Sequence, residues 1–256
     1  MADQTKTVFI TGAGSGIGLA AAKRFLRAGW NVAALDVSDQ RLKESFPEAS
    51  DRLFTTAGDI RDGQAMAATA DAVAARFGSI DAVFANAGIH QVSTLETVTE
   101  ADLDAIIGVN IKGTINTLKA ALPHLRNAGG GAMVINASDQ ALIGKRSSLG
   151  YGLTKGALGQ MTKSLALDMA EFGIRVNAVC PGTIRTRLGE EAFKNFTAKF
   201  PDFDVEKALK QEADLYPVKR IGEPEEVGGL VYFLCTEEAG FITGSLYSVD
   251  GGLTAQ

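Results

Sequence analysis

The chain has 256 residues, 46% of them hydrophobic, and 25 Lys and Arg against 30 Asp and Glu give a formal charge of −5. That length can bury a large core as one α/β domain, and the acidic balance without a dense basic run argues against a nucleic-acid partner. No apolar run reaches membrane length and residues 1–6 lack the basic and apolar regions of a signal peptide, so a cytoplasmic protein with no membrane partner is expected.

Strand-like and helix-like runs alternate in the βαβ manner that predicts a mainly parallel sheet. The reading is a single Rossmann-type, doubly wound α/β domain over 1–256. Its dinucleotide-binding half covers about 1–130, and its catalytic and substrate half about 131–256. Residues 7 to 10 form a short apolar strand that runs into Gly12-Ala-Gly-Ser-Gly-Ile-Gly18 and then a helical pattern from 19 to 28. Glycines let the backbone turn sharply and approach a pyrophosphate closely, while free amides at the helix start face its charge. The G-x-G-x-x-G pattern fits neither register, because its last glycine would fall on Ile17 or Leu19; Gly12-x-x-x-Gly16-x-Gly18 fits. A tight turn with close helix packing asks for the same residues.

The next strand, 32 to 35, ends on Asp36, at the spacing from Gly18 expected of a carboxylate that hydrogen-bonds the adenosine ribose hydroxyls. That charge repels a 2′-phosphate. No arginine follows Asp36 directly or sits in the glycine loop, so the chain favours NAD over NADP, with Arg41 the cation that weighs against this. Further strands are expected near 53–56, 82–85, 132–137, 175–179 and 245–249, and long helices around 64–77, 101–126 and 151–172. Cys180 and Cys235 are too few and too far apart for a disulfide framework, and His90 and His124 lack partners at metal-ligand spacing, so no metal is expected.

Tyr151 and Lys155 stand four apart on a predicted helix and therefore share a face, with Ser138 upstream. A phenol near pKa 10 is a poor base at neutral pH, and a neighbouring ammonium stabilises its phenolate. Bringing the phenol toward 7 takes roughly 4 kcal/mol, at about 1.4 kcal/mol per unit. Alone, such a pair reads as an ordinary amphipathic helix with an exposed lysine.

Together these motifs resemble the short-chain dehydrogenase/reductase family over nearly the whole chain. Thr11 to Gly18 match its cofactor loop, with Gly12, Ser15, Gly16, Ile17 and Gly18 implied to bind the dinucleotide. Asp59 and Ile60 match the pair that contacts adenine, and Asn86, Ala87 and Gly88 the segment beside the ribose. Ala85 departs from a frequent second asparagine. Asn110, Ser138, Tyr151 and Lys155 match the catalytic tetrad, and Pro181, Gly182, Ile184 and Thr186 belong to the segment that clasps the nicotinamide carboxamide. The resemblance implies that Tyr151 exchanges a proton with the substrate oxygen as hydride moves to or from NAD. It further implies that Lys155 lowers the tyrosine pKa and binds the nicotinamide ribose, that Ser138 orients the reacting oxygen, and that Asn110 holds a water linking Lys155 to solvent. A homotetramer is also implied, built from the 101–126 helix, the catalytic helix with its small face Gly152, Gly156, Ala157 and Gly159, and the last strand. Family members close a segment over the substrate; here 187–216, with Phe193, Phe196, Phe200 and Phe203 among charges, is either such a mobile segment or a peripheral helix pair.

Specificity sits in loops on such folds. Gln140, Lys145 and Arg146 lie between Ser138 and Tyr151, Arg185 follows the Pro-Gly turn, and His90 follows the Asn-Ala-Gly segment. A guanidinium binds a carboxylate through two hydrogen bonds and Gln140 can read a hydroxyl. Gln140, Arg146, Arg185 and His90 are the candidate substrate residues. The local runs 137–140, 144–146 and 180–184 are similar to dehydrogenases of sugars and of 2-keto-3-deoxy sugar acids, which favours a small polyhydroxylated acid as substrate. The alternatives are a neutral sugar, polyol or hydroxysteroid, a 3-oxoacyl reductase, and a non-enzymatic dinucleotide-binding protein, which the intact tetrad disfavours.

Overall fold

Strands and helices alternate along the chain in the computed structural model, whose described residues are 5–186 and 205–255. The seven strands are β1 (Thr7–Thr11), β2 (Asn31–Asp36), β3 (Leu53–Ala57), β4 (Ala82–Ala85), β5 (Gly131–Asn136), β6 (Ile174–Pro181) and β7 (Leu246–Val249). They form one all-parallel sheet in the order β3-β2-β1-β4-β5-β6-β7. The order reverses between β1 and β4, where doubly wound sheets open a crevice at the carboxyl ends of their strands.

A parallel sheet covered on both faces needs strands that are apolar on both sides. β1 meets that condition: Val8 and Ile10 pack on one face with Phe25, Val227 and Val231, while Phe9 points to the other with Met66, Val73 and Leu118. The helices α1 (Gly16–Arg27) and α2 (Asp39–Ser45) cover the first face, where Pro224–Cys235 also packs. On the second face lie α3 (Gly63–Phe77), α5 (Thr114–Asn127) and α6 (Leu149–Met169). Local chemistry sets their ends. Asp62 caps α3 by accepting from the amides of Gln64 and Ala65, and Gly78 ends it at φ 88°. Thr99 and Asp102 form a capping box that opens α4 (Glu100–Ile107). Near the C-terminus come α7 (Val205–Leu215) and α8 (Pro224–Cys235).

The expected continuous helix over 101–126 is interrupted. A π-helical stretch, Gly108–Gly113, separates α4 from α5. The wider turn carries Asn110, and it seats Gly113 against Ile60, where a Cβ would come within 2.4 Å of Cδ1. The catalytic helix ends at Met169, with Ala170–Phe172 continuing as a 3-10 turn. Of the segment 187–216, residues 187–204 with Phe193, Phe196, Phe200 and Phe203 lie outside the described residues; its last part is α7 and Tyr216.

Candidate active site

A cavity of about 770 Å³ opens at the carboxyl ends of the strands, on the switch point. Every candidate site residue read from the sequence lines it except Gly18, Asn110 and Arg185.

The dinucleotide end is built by the β1–α1 turn. Gly12 and Gly16 adopt φ of +66° and +54°, conformations in which side chains are strained. Ser15 stands at the N-cap of α1 without a capping bond from its side chain. Gly18 lets α1 approach the turn closely, because a Cβ there would meet the Gly12 carbonyl oxygen at 2.2 Å. Asn86 ties the crevice together: its Nδ2 donates to the Thr11 and Gly12 carbonyls at 2.9 and 3.2 Å, and its Oδ1 accepts from Asn136 at 2.9 Å. Thr11 Oγ1 in turn accepts the amides of Asn86 and Ala87. The buried Asp36 does not face the cavity as a bare carboxylate. It accepts the amides of Gly14 and Ser38, each at 3.0 Å, and the Arg41 guanidinium at 3.1 and 2.6 Å. Asp59 is engaged by Arg61, whose guanidinium holds its carboxyl below the usual range. Open glycine backbone, an uncommitted serine hydroxyl and a helix N-terminus are the donor set a pyrophosphate needs, so these residues fit a dinucleotide.

The chemical end joins β5, α6 and the loop between them. Tyr151 and Lys155 do share a face, with Lys155 Nζ 5.4 Å from the Tyr151 ring centroid. Burial pushes Tyr151 up to about 12, Ser138 opposes the shift, and the charge of Asp139 adds to it. Lys155 is itself drawn down to about 8 by burial, slightly opposed by Cys180, and donates to the Asn136 carbonyl at 2.7 Å. Asn110 lies next to this group and outside the cavity lining. Its Oδ1 accepts from the Ile89 amide at 2.8 Å, while its Nδ2 donates to the Ile89 carbonyl and to Thr154 Oγ1. Both donors are thus spent on joining the β4 exit to α6, and the expected water-holding task has only acceptor capacity left on this side chain.

The substrate end is more mixed in charge than the sequence suggested. The His90 ring packs at 4.7 Å from that of Tyr151, and burial, then Lys145 and Lys155, lower its pKa, which keeps the imidazole neutral. Arg185 is absent from the cavity lining and pairs with Glu223 at 3.1 Å. Lys145 pairs with Asp139 at 2.8 Å and stands 3.9 Å from Glu212. Arg146 lines the cavity and, among the described residues, has no carboxylate partner. Arg61, Asp139, Thr183 and Glu212 are lining residues that the sequence reading passed over. An acid directly after Ser138, at the exit of an apolar strand, was the one local signal for Asp139.

A parallel sheet with a glycine-edged crevice at its switch point, and a serine, tyrosine and lysine on one wall, defines a dinucleotide-binding oxidoreductase scaffold. The family profile described as enoyl-(acyl carrier protein) reductase matches residues 12–254. An oxidoreductase of Thermotoga maritima is 36% identical over 98% of both chains. The ligand-free aldohexose dehydrogenase of Thermoplasma acidophilum superposes with a TM-score of 0.88 at 34% identity, covering 99% of this chain and 95% of its own. The 3-ketoacyl-(acyl-carrier-protein) reductase of Brucella melitensis, complexed with NADH, gives 0.87 at 31% identity over 97% and 98%. The chain belongs to the short-chain dehydrogenase/reductase family, as an oxidoreductase acting on CH–OH groups. No helix among the described residues is long and apolar enough to cross a membrane.

Proposed function

We propose that the chain is an NAD-dependent dehydrogenase interconverting a secondary alcohol and a ketone on a small polyhydroxylated acid, of the 2-keto-3-deoxy sugar acid kind. The observation that carries the substrate class is Arg146, a cation on the cavity wall without a carboxylate partner, while Lys145 and Arg185 both have one. Gln140, also on the cavity wall, leaves Oε1 buried and without a hydrogen bond among the described residues, as a group that takes a hydroxyl would.

In this reading Gly12, Ser15, Gly16 and Ile17 hold the pyrophosphate. Asp36, Asp59, Ile60, Asn86, Ala87 and Gly88 line the adenosine side, and Pro181, Gly182, Ile184 and Thr186 the nicotinamide side. The bound dinucleotide supplies the two-electron acceptor or donor. Tyr151 takes the substrate hydroxyl proton on its phenol oxygen during oxidation and returns it during reduction. Lys155 lends positive charge to that step and Ser138 orients the oxygen. Asn110 acts behind them, by holding the loop after β4 against α6. A phenol held near 12 is almost wholly protonated at neutral pH, so the fraction able to take the proton grows with pH and alcohol oxidation accelerates through the neutral range.

A second reading of the cofactor rests on Arg41, which lines the cavity and clasps Asp36. Swung off Asp36, it would meet a 2′-phosphate. One experiment addresses both points: wild-type and Tyr151→Phe protein are screened with NAD and NADP against sugars, sugar acids, polyols and hydroxyacids. The reading expects efficient NAD reduction with a sugar acid and near-complete loss in Tyr151→Phe with dinucleotide affinity retained. A preference for NADP would transfer the ribose assignment to Arg41, and turnover confined to neutral polyols would remove the acid.

A further inference from the structure

Asp139 is 2% exposed, one of the most deeply buried charges in the protein, and it lies beside the reacting centre. Burying a carboxylate is costly unless it is paired and hydrogen-bonded, so its contacts show what it is kept for. It is not a cap: among the described residues its carboxylate accepts from no backbone amide. Oδ1 accepts the Ser138 hydroxyl at 2.8 Å, and Oδ2 faces Lys145 Nζ at 2.8 Å. Burial draws the Lys145 ammonium down, but Asp139, Tyr216 and Glu212 together outweigh it and keep the lysine above its ordinary pKa, hence charged. Behind Lys145, Glu212 of α7 is held by Thr183 Oγ1 at 2.5 Å and Tyr216 Oη at 3.1 Å.

We propose that Asp139 is the positioning residue for Ser138, with Lys145 as its counter-ion, so that an ion pair on the substrate loop fixes the hydroxyl at the reacting centre. The inference rests on the reading of Ser138 as the group that orients the substrate oxygen. A serine hydroxyl has one proton and two lone pairs. Ser138 gives the proton to Asp139 and accepts the Gln140 amide at 3.2 Å, which leaves one lone pair. Ser138 therefore meets the reacting group as an acceptor, suited to a substrate hydroxyl. It turns into a donor toward a ketone only by leaving Asp139. Lys145 is correspondingly committed to Asp139 and unavailable to an anionic substrate.

The test compares wild type with Asp139→Ala, Asp139→Asn, Lys145→Met and the double variant Asp139→Asn/Lys145→Met. With the compound selected by the screen above, kcat in Asp139→Ala falls roughly 10- to 100-fold, as misplacement of an orienting group does, while KM for the dinucleotide stays within about two-fold. Asp139→Asn sets an amide donor against the Lys145 ammonium, and Lys145→Met strands a buried carboxylate. The double variant removes both faults, so its kcat exceeds that of either single by at least about three-fold, a coupling that independent sites do not show. Crystal structures of wild type and Asp139→Ala report the Ser138 rotamer without any substrate, and Oγ is expected to leave its position. Should Asp139→Ala fail to fold, Asp139→Asn and the double variant decide through kcat, since the amide oxygen of Asn still accepts from Ser138. Unchanged kcat in a folded Asp139 variant, independent effects in the double variant, or an unmoved Ser138 Oγ would each overturn the proposal. A wild type that turns over nothing in the screen sinks the functional reading instead, and the rotamer comparison then decides the positioning of Ser138 by itself.

Discussion

Lys155 is 5% exposed, and among the described residues its ammonium rests on the Asn136 carbonyl. With its pKa lowered to about 8 against 10.5 for an ordinary lysine, the folded protein binds fewer protons than the unfolded chain between those two values. Stability therefore rises with pH across that window, and below it the full cost of burying the charge is present. At about 1.4 kcal/mol per unit that cost is roughly 3 kcal/mol. Lys155→Met should raise the unfolding free energy at pH 7 by up to about that amount, and the gain should vanish between pH 8 and 10.5 in urea titrations. The same variant should be inactive, since stability and function oppose each other at this position. At Arg146 the expectation runs the other way. Arg146→Ala should lower kcat/KM toward an acid by roughly 10- to 150-fold, a loss of about 1.5 to 3 kcal/mol, with dinucleotide affinity unchanged. Equal losses on the acid and on its uncharged alcohol analogue would assign Arg146 to the solvated surface.

Elements position these side chains through close approaches that tolerate no extra atoms. The start of α1 lies against the β1 turn at Gly18, where a methyl group would overlap the Gly12 carbonyl and come within 2.6 Å of Asn86 Nδ2. Gly18→Ala should destabilise the protein by about 1 to 3 kcal/mol and weaken dinucleotide binding more than tenfold, because the helix must back away from the loop it orients. Equilibrium unfolding with fluorescence titration of the dinucleotide checks both. The α4–α5 interruption was not legible in the sequence. Residues 101–126 read as one helical run in which Gly108, Gly113 and Pro123 are the weakest formers, and the partners that Asn110 takes within the widened turn, the Ile89 backbone and Thr154, lie elsewhere in the chain. On α6 the glycine face divides. Gly159 packs within the subunit against Leu246 and Ala141, and Gly152 against Gln140, whereas Gly156 faces open space.

At the scale of the molecule, Leu149, Leu153 and Leu167 of α6 and Ile115 of α5 remain exposed, as does Phe241 ahead of β7. Leu153 and Leu167, at 51% and 81% exposure on the helix that family resemblance assigns to an interface, offer a test of the homotetramer which that resemblance implies. Light scattering at micromolar concentration should give four subunits, and Leu153→Glu with Leu167→Glu should shift the mass downward while the fold is retained. A wild-type monomer would remove the proposal.

Sheet, crevice and most of the candidate site could be read from the sequence alone, because they rest on local signals: apolar runs of strand length, a glycine pattern before a helix, an acid at a strand end, a tyrosine and lysine one turn apart. Each signal lies within a few residues of the backbone feature it produces. Charge placement could not be read this way. That Asp36 is clasped by Arg41, that Arg185 pairs with Glu223 and Lys145 with Asp139, and that Tyr151 and Lys155 are both buried, were decided only by the tertiary structure. Electrostatic partners are chosen by distance and desolvation in three dimensions, and neither quantity is a property of the residue or its neighbours in sequence.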